Sequence, residues 1–291
     1  MTRVLVSADM EGVTGVTCPD DVEPGTASWE RMRPLFTGDV NAVVDGLLAG
    51  GADDVLVNDA HYTQRNLLLE ALDPRARLLT GRHKPLGMMA GIELADAVVF
   101  LGYHTGAGQQ GVLSHTYLGT GPTGFRIDGE PADEGRMNAL IAEEHGVPVV
   151  LVTGDDLTCR AAGTWAPDAL VVAVKECVSR YAAVCLPPAR SAELLRARAA
   201  EAASRLLRHP VRRTRADAAD PARRRGAPDR SHRFELDFHA PHLAAAVLAV
   251  PTVEANGPRG IAFTAADATT AARTFKVCTT VAGAAMEDHF G

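Results

Sequence analysis

Apolar residues along the first two-thirds of the chain follow two alternating rhythms. The runs RVLVSAD, DDVLVND, ADAVVFLGYH, VPVVLVTGDD and ALVVAVKE are short, nearly continuous and rich in β-branched residues. That is the pattern of strands buried on both faces. Between the first two, Phe36 to Ala52 places Val40, Val43, Val44 and Leu47 at helical spacing and ends in Gly-Gly. DEGRMNALIAEEHG, from Asp133 to Gly146, reads as a second helix stopped by a glycine. Such strands alternating with amphipathic helices predict an α/β fold with a mostly parallel sheet flanked by helices.

The last third changes rhythm. Ser191 to Leu207 predicts a helix, and RFELDFH alternates like a half-exposed antiparallel strand. Pro241 to Val250 reads as helix, GIAFTA as a short strand, and Ala265 to Val281 as helix. These elements predict two units: an α/β domain over 1–185 and a smaller C-terminal α+β domain over 186–291. Val211 to His232, rich in arginine, alanine, aspartate and proline, reads as a solvated connector.

Composition narrows the class. The chain has 291 residues, 46% hydrophobic and 22% charged, the balance of a globular protein with a sizeable core. A net charge of −7 gives no general case for nucleic acid as a partner. No apolar run approaches the roughly 18 residues that span a bilayer, so no membrane association is expected. The N-terminus enters a strand directly, without a basic region and an apolar signal segment, and the expected location is cytoplasmic. Cys18, Cys159, Cys177, Cys185 and Cys278 are scattered and form no CxxC. That excludes a disulfide framework or a thiolate zinc site, so any metal would take oxygen and nitrogen ligands.

Parallel α/β sheets bind ligands at the carboxyl ends of their strands. The residues at those ends are of one chemical kind. Strand one runs into Asp9 and Glu11 in VLVSADMEG, strand two into NDAH with His61, and strand three into GYH with His104. Glu134 opens the helix that leads to strand four. Taken singly, the acids could be a turn residue or a helix cap, and each histidine a structural one. Their shared position carries the metal reading. Mixed Asp, Glu and His ligation suits Zn²⁺, and less exclusively Mn²⁺ or Co²⁺.

Five such ligands exceed the usual complement of one catalytic zinc, so two ions sharing a carboxylate fit better, with Asp9 as the bridge. Paired ions of this kind acidify water for attack on a carbonyl. Asp59, two residues before His61, is expected to orient an imidazole. The stretch HTGAGQQGVLSHTY has glycines for close approach to a ligand, but it lacks the lysine and Ser/Thr of a phosphate loop. His115 at its far end could donate to an oxyanion or carry a proton to a leaving amine.

SADMEG, VNDAH, GYH, SHTY and DEGRMNA, in that order, resemble the DppA-type zinc D-aminopeptidase family; VTGDD and VKECVSRYAA are similar to further family segments. The resemblance covers about residues 3 to 186 and continues more loosely through RFELDF and the C-terminal unit. It implies a binuclear zinc site with Asp9, Glu11, His61, His104 and Glu134 as ligands and His115 as the catalytic histidine. It also implies release of N-terminal D-amino acids from short peptides, and a homo-oligomeric ring of ten subunits. The C-terminal unit would then shape subunit contacts and the substrate entrance. Two other readings use the same residues: an amidohydrolase acting on a non-peptide amide or amino-acid conjugate, and a metal-dependent binding protein without turnover.

Overall fold

A computed structural model of the protein describes residues 1–208 and 231–286. The expected connector lies, over 211–230, outside the described residues, and His232 already belongs to a strand. The strands are β1 (Arg3–Ala8), β2 (Asp54–Asp59), β3 (Arg77–Leu79), β4 (Ala97–Leu101), β5 (Pro122–Ile127), β6 (Glu130–Pro131), β7 (Val149–Asp155), β8 (Leu170–Ser179), β9 (Ala182–Cys185), β10 (His232–Phe238), β11 (Glu254–Ala255) and β12 (Gly260–Ala265). The α-helices are α1 (Ala27–Ala49), α2 (Glu134–Glu144), α3 (Asp156–Trp165), α4 (Pro188–Arg208), α5 (Pro241–Val247) and α6 (Ala268–Ala284).

The larger sheet has seven strands in the order β3-β2-β1-β4-β7-β8-β9. All its pairings are parallel except the β8–β9 hairpin. Helices cover both faces, as continuously apolar strands require. On one face Val40, Val43, Val44 and Leu47 of α1 pack with Leu195, Ala199 and Ala202 of α4 over Val4 and Val6. On the other, Ile141 and Ala142 of α2 and Ala162 of α3 pack against Leu5, Val98 and Phe100. α1 begins nine residues before the apolar spacing that predicted it. Thr26 caps it by accepting from the Trp29 amide, and its first turns carry Trp29 and Met32 into the core.

The second sheet is antiparallel, in the order β11-β12-β10-β5-β6. Phe234, Phe263, Leu243 and Phe275 fill the space between it and helices α5 and α6. The two sheets interleave along the chain. β5 and β6 precede residue 185 yet join the second sheet, while α4 follows it and packs on α1. Among the described residues no helix is long and apolar enough to cross a membrane. All five cysteines are free thiols.

Candidate metal centre

β2, β1 and β4 are neighbours, and they end level: Ala8 of β1 pairs with Asp59 on one side and Leu101 on the other. The chain leaving each strand therefore emerges at one edge of the sheet. Asp9, His61 and His104 follow these three ends. The loop after β1 is laced to the end of β4 by Asp9 N donating to Leu101 O at 2.8 Å and Gly12 N to Gly102 O at 2.7 Å. Only glycine fits at position 12, because a Cβ there would lie 2.1 Å from Tyr103 O. Glu134 is the first residue of α2, whose N-cap Asp133 accepts from Arg136 N at 2.6 Å. Tyr117 N donates to Glu134 Oε1 at 2.8 Å, so the SHTY segment orients this carboxylate as well as supplying His115.

The structure brings all six expected residues together. Asp9, Glu11 and His61 form one group of ligand atoms, Asp9, His104 and Glu134 a second, and Glu11, His104 and His115 a third. His61 Nδ1 lies 3.2 Å from Asp9 Oδ1 and 3.1 Å from Glu11 Oε2. His104 Nε2 lies 3.4 Å from Asp9 Oδ2 and 3.6 Å from Glu134 Oε1. Asp9 thus turns one oxygen toward each imidazole. His115 Nε2 is 3.7 Å from Glu11 Oε1.

Each imidazole is set by a backbone carbonyl, which can only accept. His61 Nε2 donates to Val22 O at 2.8 Å, His104 Nδ1 to Thr105 O at 2.9 Å, and His115 Nδ1 to Leu113 O at 2.8 Å. The other ring nitrogen of each is left facing the carboxylates, the arrangement that second-partner hydrogen bonds give metal-binding histidines. The rings of His104 and His115 stack with centroids 4.3 Å apart and planes 6° from parallel. The loop between these histidines is tightly folded: a Cβ at Gly111 would meet Thr105 Oγ1 at 2.0 Å. The close approach is thus to the protein's own loop, where a bound ligand was expected.

The D-aminopeptidase family model, Peptidase M55, matches residues 2–277. The chain belongs to the D-aminopeptidase family. It is 38% identical over 196 residues to a D-aminopeptidase of Bacillus subtilis (strain 168), covering 66% of this chain and 70% of that one. The solved structure of the Zn-dependent D-aminopeptidase DppA from Bacillus subtilis, described as a self-compartmentalizing protease, superposes with a TM-score of 0.86 at 31% identity. That match covers 97% of this chain and 98% of the other.

Zinc fits the donor set of this family member. Imidazole nitrogens and carboxylate oxygens are its ligands in sites without cysteine. The buried atoms Asp9 Oδ2 and Glu11 Oε2 make no well-aligned hydrogen bond, with His104 and His61 beside them at 3.4 and 3.1 Å, so both oxygens are placed to meet a cation. The electrostatics agree. Burial disfavours charge on Glu11, but His61, His104 and His115 outweigh it and hold its pKa well below the usual carboxyl range. Burial pulls His104 down, yet Glu134, Asp9 and Glu11 raise its pKa to about 10. His61 is raised well above its ordinary value against the same penalty, by Glu11 and Asp9. Glu134 is pushed up to about 8, chiefly by burial. Burial and the neighbouring His104 push His115 down to about 4, so its imidazole is neutral at pH 7. The carboxylates that hold protons on His61 and His104 would hold divalent ions, which must displace those protons.

Several supporting residues escape sequence reasoning. Lys175, 1% exposed on β8, donates to the carbonyls of Glu11, Val13 and Val16 at 2.5, 2.9 and 2.6 Å and so clamps the loop that carries Glu11. Asp39 on α1 holds the same loop through Thr14 N and Oγ1 at 3.0 and 3.1 Å. Lys84 donates to Asn58 Oδ1 and to Asp59 O, fixing the end of β2. Asp59 does not orient an imidazole. Its carboxylate accepts from Asn66 N, Asn66 Nδ2 and Leu67 N, and Asn66 Nδ2 also reaches His61 O, so Asp59 shapes the loop beyond His61. The visible signal for Lys175 is a lysine that directly follows the apolar stretch LVVAV within one strand.

The six residues open onto a cavity of about 610 Å³, within the ordinary range for small-ligand sites. Met88, Met137, Ile141 and Phe275 supply apolar wall, and Arg82, Arg180 and Lys276 supply positive charge.

Proposed function

We propose that this protein is a zinc-dependent aminopeptidase that releases N-terminal D-amino acids from short peptides at a two-zinc site. The observation that carries the reading is the division of Asp9, one oxygen toward His61 and the other toward His104, within two ligand groups that share it. Asp9, Glu11 and His61 would hold one ion, and Asp9, His104 and Glu134 the other. Zinc supplies Lewis acidity there, polarising a carbonyl and acidifying water.

The chain's own residues do the rest. His115, neutral at pH 7, accepts the proton lost as water adds to the scissile carbonyl. The C–N bond breaks, and the same imidazole returns that proton to the departing amine. The products are a free amino acid and a peptide one residue shorter. His115 is oriented for this by Leu113 O and by stacking on His104. Lys175 and Asp39 keep Glu11 in place while charge moves nearby. Helix α6 supplies Ala272, Phe275, Lys276 and Thr279 to the cavity wall, which supports a role for the C-terminal elements in the substrate entrance. The self-compartmentalizing relative supports a homo-oligomer, which we extend to a ring of ten subunits.

The test pairs metal content with a peptide panel. The purified protein should carry close to two zinc ions per chain by plasma mass spectrometry and should cleave D-Ala dipeptides in preference to L-Ala dipeptides. Asp9→Asn should lose metal and at least ~100-fold in activity, since even indirect partners of metal ligands cost about 10–100-fold. An Asp9→Asn protein with full zinc and full activity would overturn the reading.

A further inference from the structure

Beside the centre, α2 carries a buried amide with one unused atom. Asn138 follows Glu134 by one helical turn, so both lie on the same face of the helix. Asn138 is 1% exposed, yet it borders the cavity. Its Nδ2 lies 3.0 Å from Tyr103 Oη and 3.3 Å from Met88 Sδ.

The hydrogen-bond chain behind it fixes which end of the amide is nitrogen. Ser7 Oγ is 2.7 Å from Met88 O, a carbonyl that can only accept, so the single Ser7 proton is spent there. Ser7 Oγ must therefore receive from Tyr103 Oη, 2.8 Å away, which spends the tyrosine proton. Tyr103 Oη is left only as an acceptor, and Asn138 must present NH₂ to it. Asn138 Oδ1 is thus turned away from the network, and no described residue donates to it.

We infer that Asn138 Oδ1 accepts a hydrogen bond from the α-ammonium of the substrate, so that the site reads a free N-terminus. This rests on the aminopeptidase reading above and names the residue that makes it an exopeptidase. The α-ammonium is attached one carbon from the scissile carbonyl, and a helical turn separates Asn138 from Glu134 at about 5–6 Å between Cβ atoms. An ammonium has donors and no acceptor, so it matches an isolated carbonyl oxygen. An amide supplies that oxygen without adding another carboxylate to Asp9, Glu11 and Glu134, whose mutual repulsion is already large. The relay through Tyr103 and Ser7 holds the amide in one orientation before substrate arrives.

The experiment compares two anilides that differ only in the amine: D-alanine p-nitroanilide and propionic acid p-nitroanilide, with zinc-loaded protein. Wild type should prefer the first strongly in kcat/KM. Asn138→Leu should lower that preference roughly 10- to 100-fold, the size of one lost hydrogen bond to a charged group, while zinc content stays at the wild-type level. Asn138→Gln keeps both an acceptor oxygen and the NH₂ that Tyr103 requires and should keep clearly more of the preference than leucine does, which guards against a leucine variant that fails to fold. An unchanged preference in Asn138→Leu, or an Asn138→Gln protein with wild-type zinc that loses preference as fully as the leucine one, would overturn the inference alone. Failure of the zinc-loaded wild type to cleave any aminoacyl anilide would remove the aminopeptidase reading and this inference together.

Discussion

At the scale of single residues, the proposed mechanism separates metal binding from proton transfer. Asp9, Glu11, His61, His104 and Glu134 are nearly fully buried and face one another, whereas the His115 side chain keeps 14% of its surface exposed toward the cavity. His115→Ala should therefore retain zinc while kcat falls about 10²- to 10⁴-fold, the usual range for a lost general acid–base. Zinc loss in step with activity would make His115 a ligand instead. The pKa directions give a second expectation. His61 and His104 are raised above the ordinary imidazole value, so protons occupy them at pH 6 to 7 and compete with metal. Raising the pH removes the competitor, so affinity must climb with pH, by about one log unit per pH unit for each proton displaced. Zinc titrations at pH 6, 7 and 8 check this; a flat profile would mean that neither imidazole loses a proton to the metal.

At the scale of elements, what was legible in the sequence was the rhythm of the strands and the ligand-type residue just past each end. Strand ends three neighbours wide, with acids and imidazoles beyond them, foretell one site because parallel topology brings such ends to one edge. What happens after the chain leaves a strand was not legible. Asp59 shares a face with the end of β2, but the loop folds back and spends its carboxylate on Asn66 and Leu67. β5 escaped for another reason: PTGFRI carries little apolar periodicity and is completed by β10, with Arg126 reaching Glu235 across 109 positions of sequence. Lys175 reads as the polar end of an apolar run, and only the tertiary fold shows three carbonyls waiting for it. Burial pushes its pKa down to about 8, so at neutral pH it still carries the charge that holds them. Lys175→Met should lower stability by about 1–3 kcal/mol, the cost of buried polar groups left unpaired. It should also weaken zinc about 10- to 100-fold, because the Glu11 loop loses its clamp. Thermal melts with and without zinc measure both effects; a loss of stability with unchanged zinc affinity would confine Lys175 to a structural role.

At the scale of the whole molecule, the β8–β9 hairpin stands out. It forms one edge of the larger sheet, and Val178, Tyr181 and Val184 on it are 67%, 55% and 63% exposed. Large apolar side chains gathered on an edge hairpin would suit the subunit contact of the proposed homo-oligomer, since an open edge otherwise invites uncontrolled pairing. The hairpin also belongs to the site. Arg180 and Tyr181 border the cavity, and Arg180 O accepts from Leu113 N at 2.8 Å, two residues from His115. A second copy seated on the hairpin would bury these side chains and wall the cavity mouth in one step, linking assembly to a limit on peptide length. Light scattering should then give a mass several-fold above the 30.7 kDa chain, tenfold for the proposed ring. Introducing charge with Val178→Asp and Val184→Asp together should lower that mass, leave zinc content unchanged, and raise the activity on longer peptides relative to dipeptides. A double variant that keeps the wild-type mass would place the subunit contact elsewhere on the surface, and one that dissociates without gaining activity on longer peptides would separate assembly from the length limit.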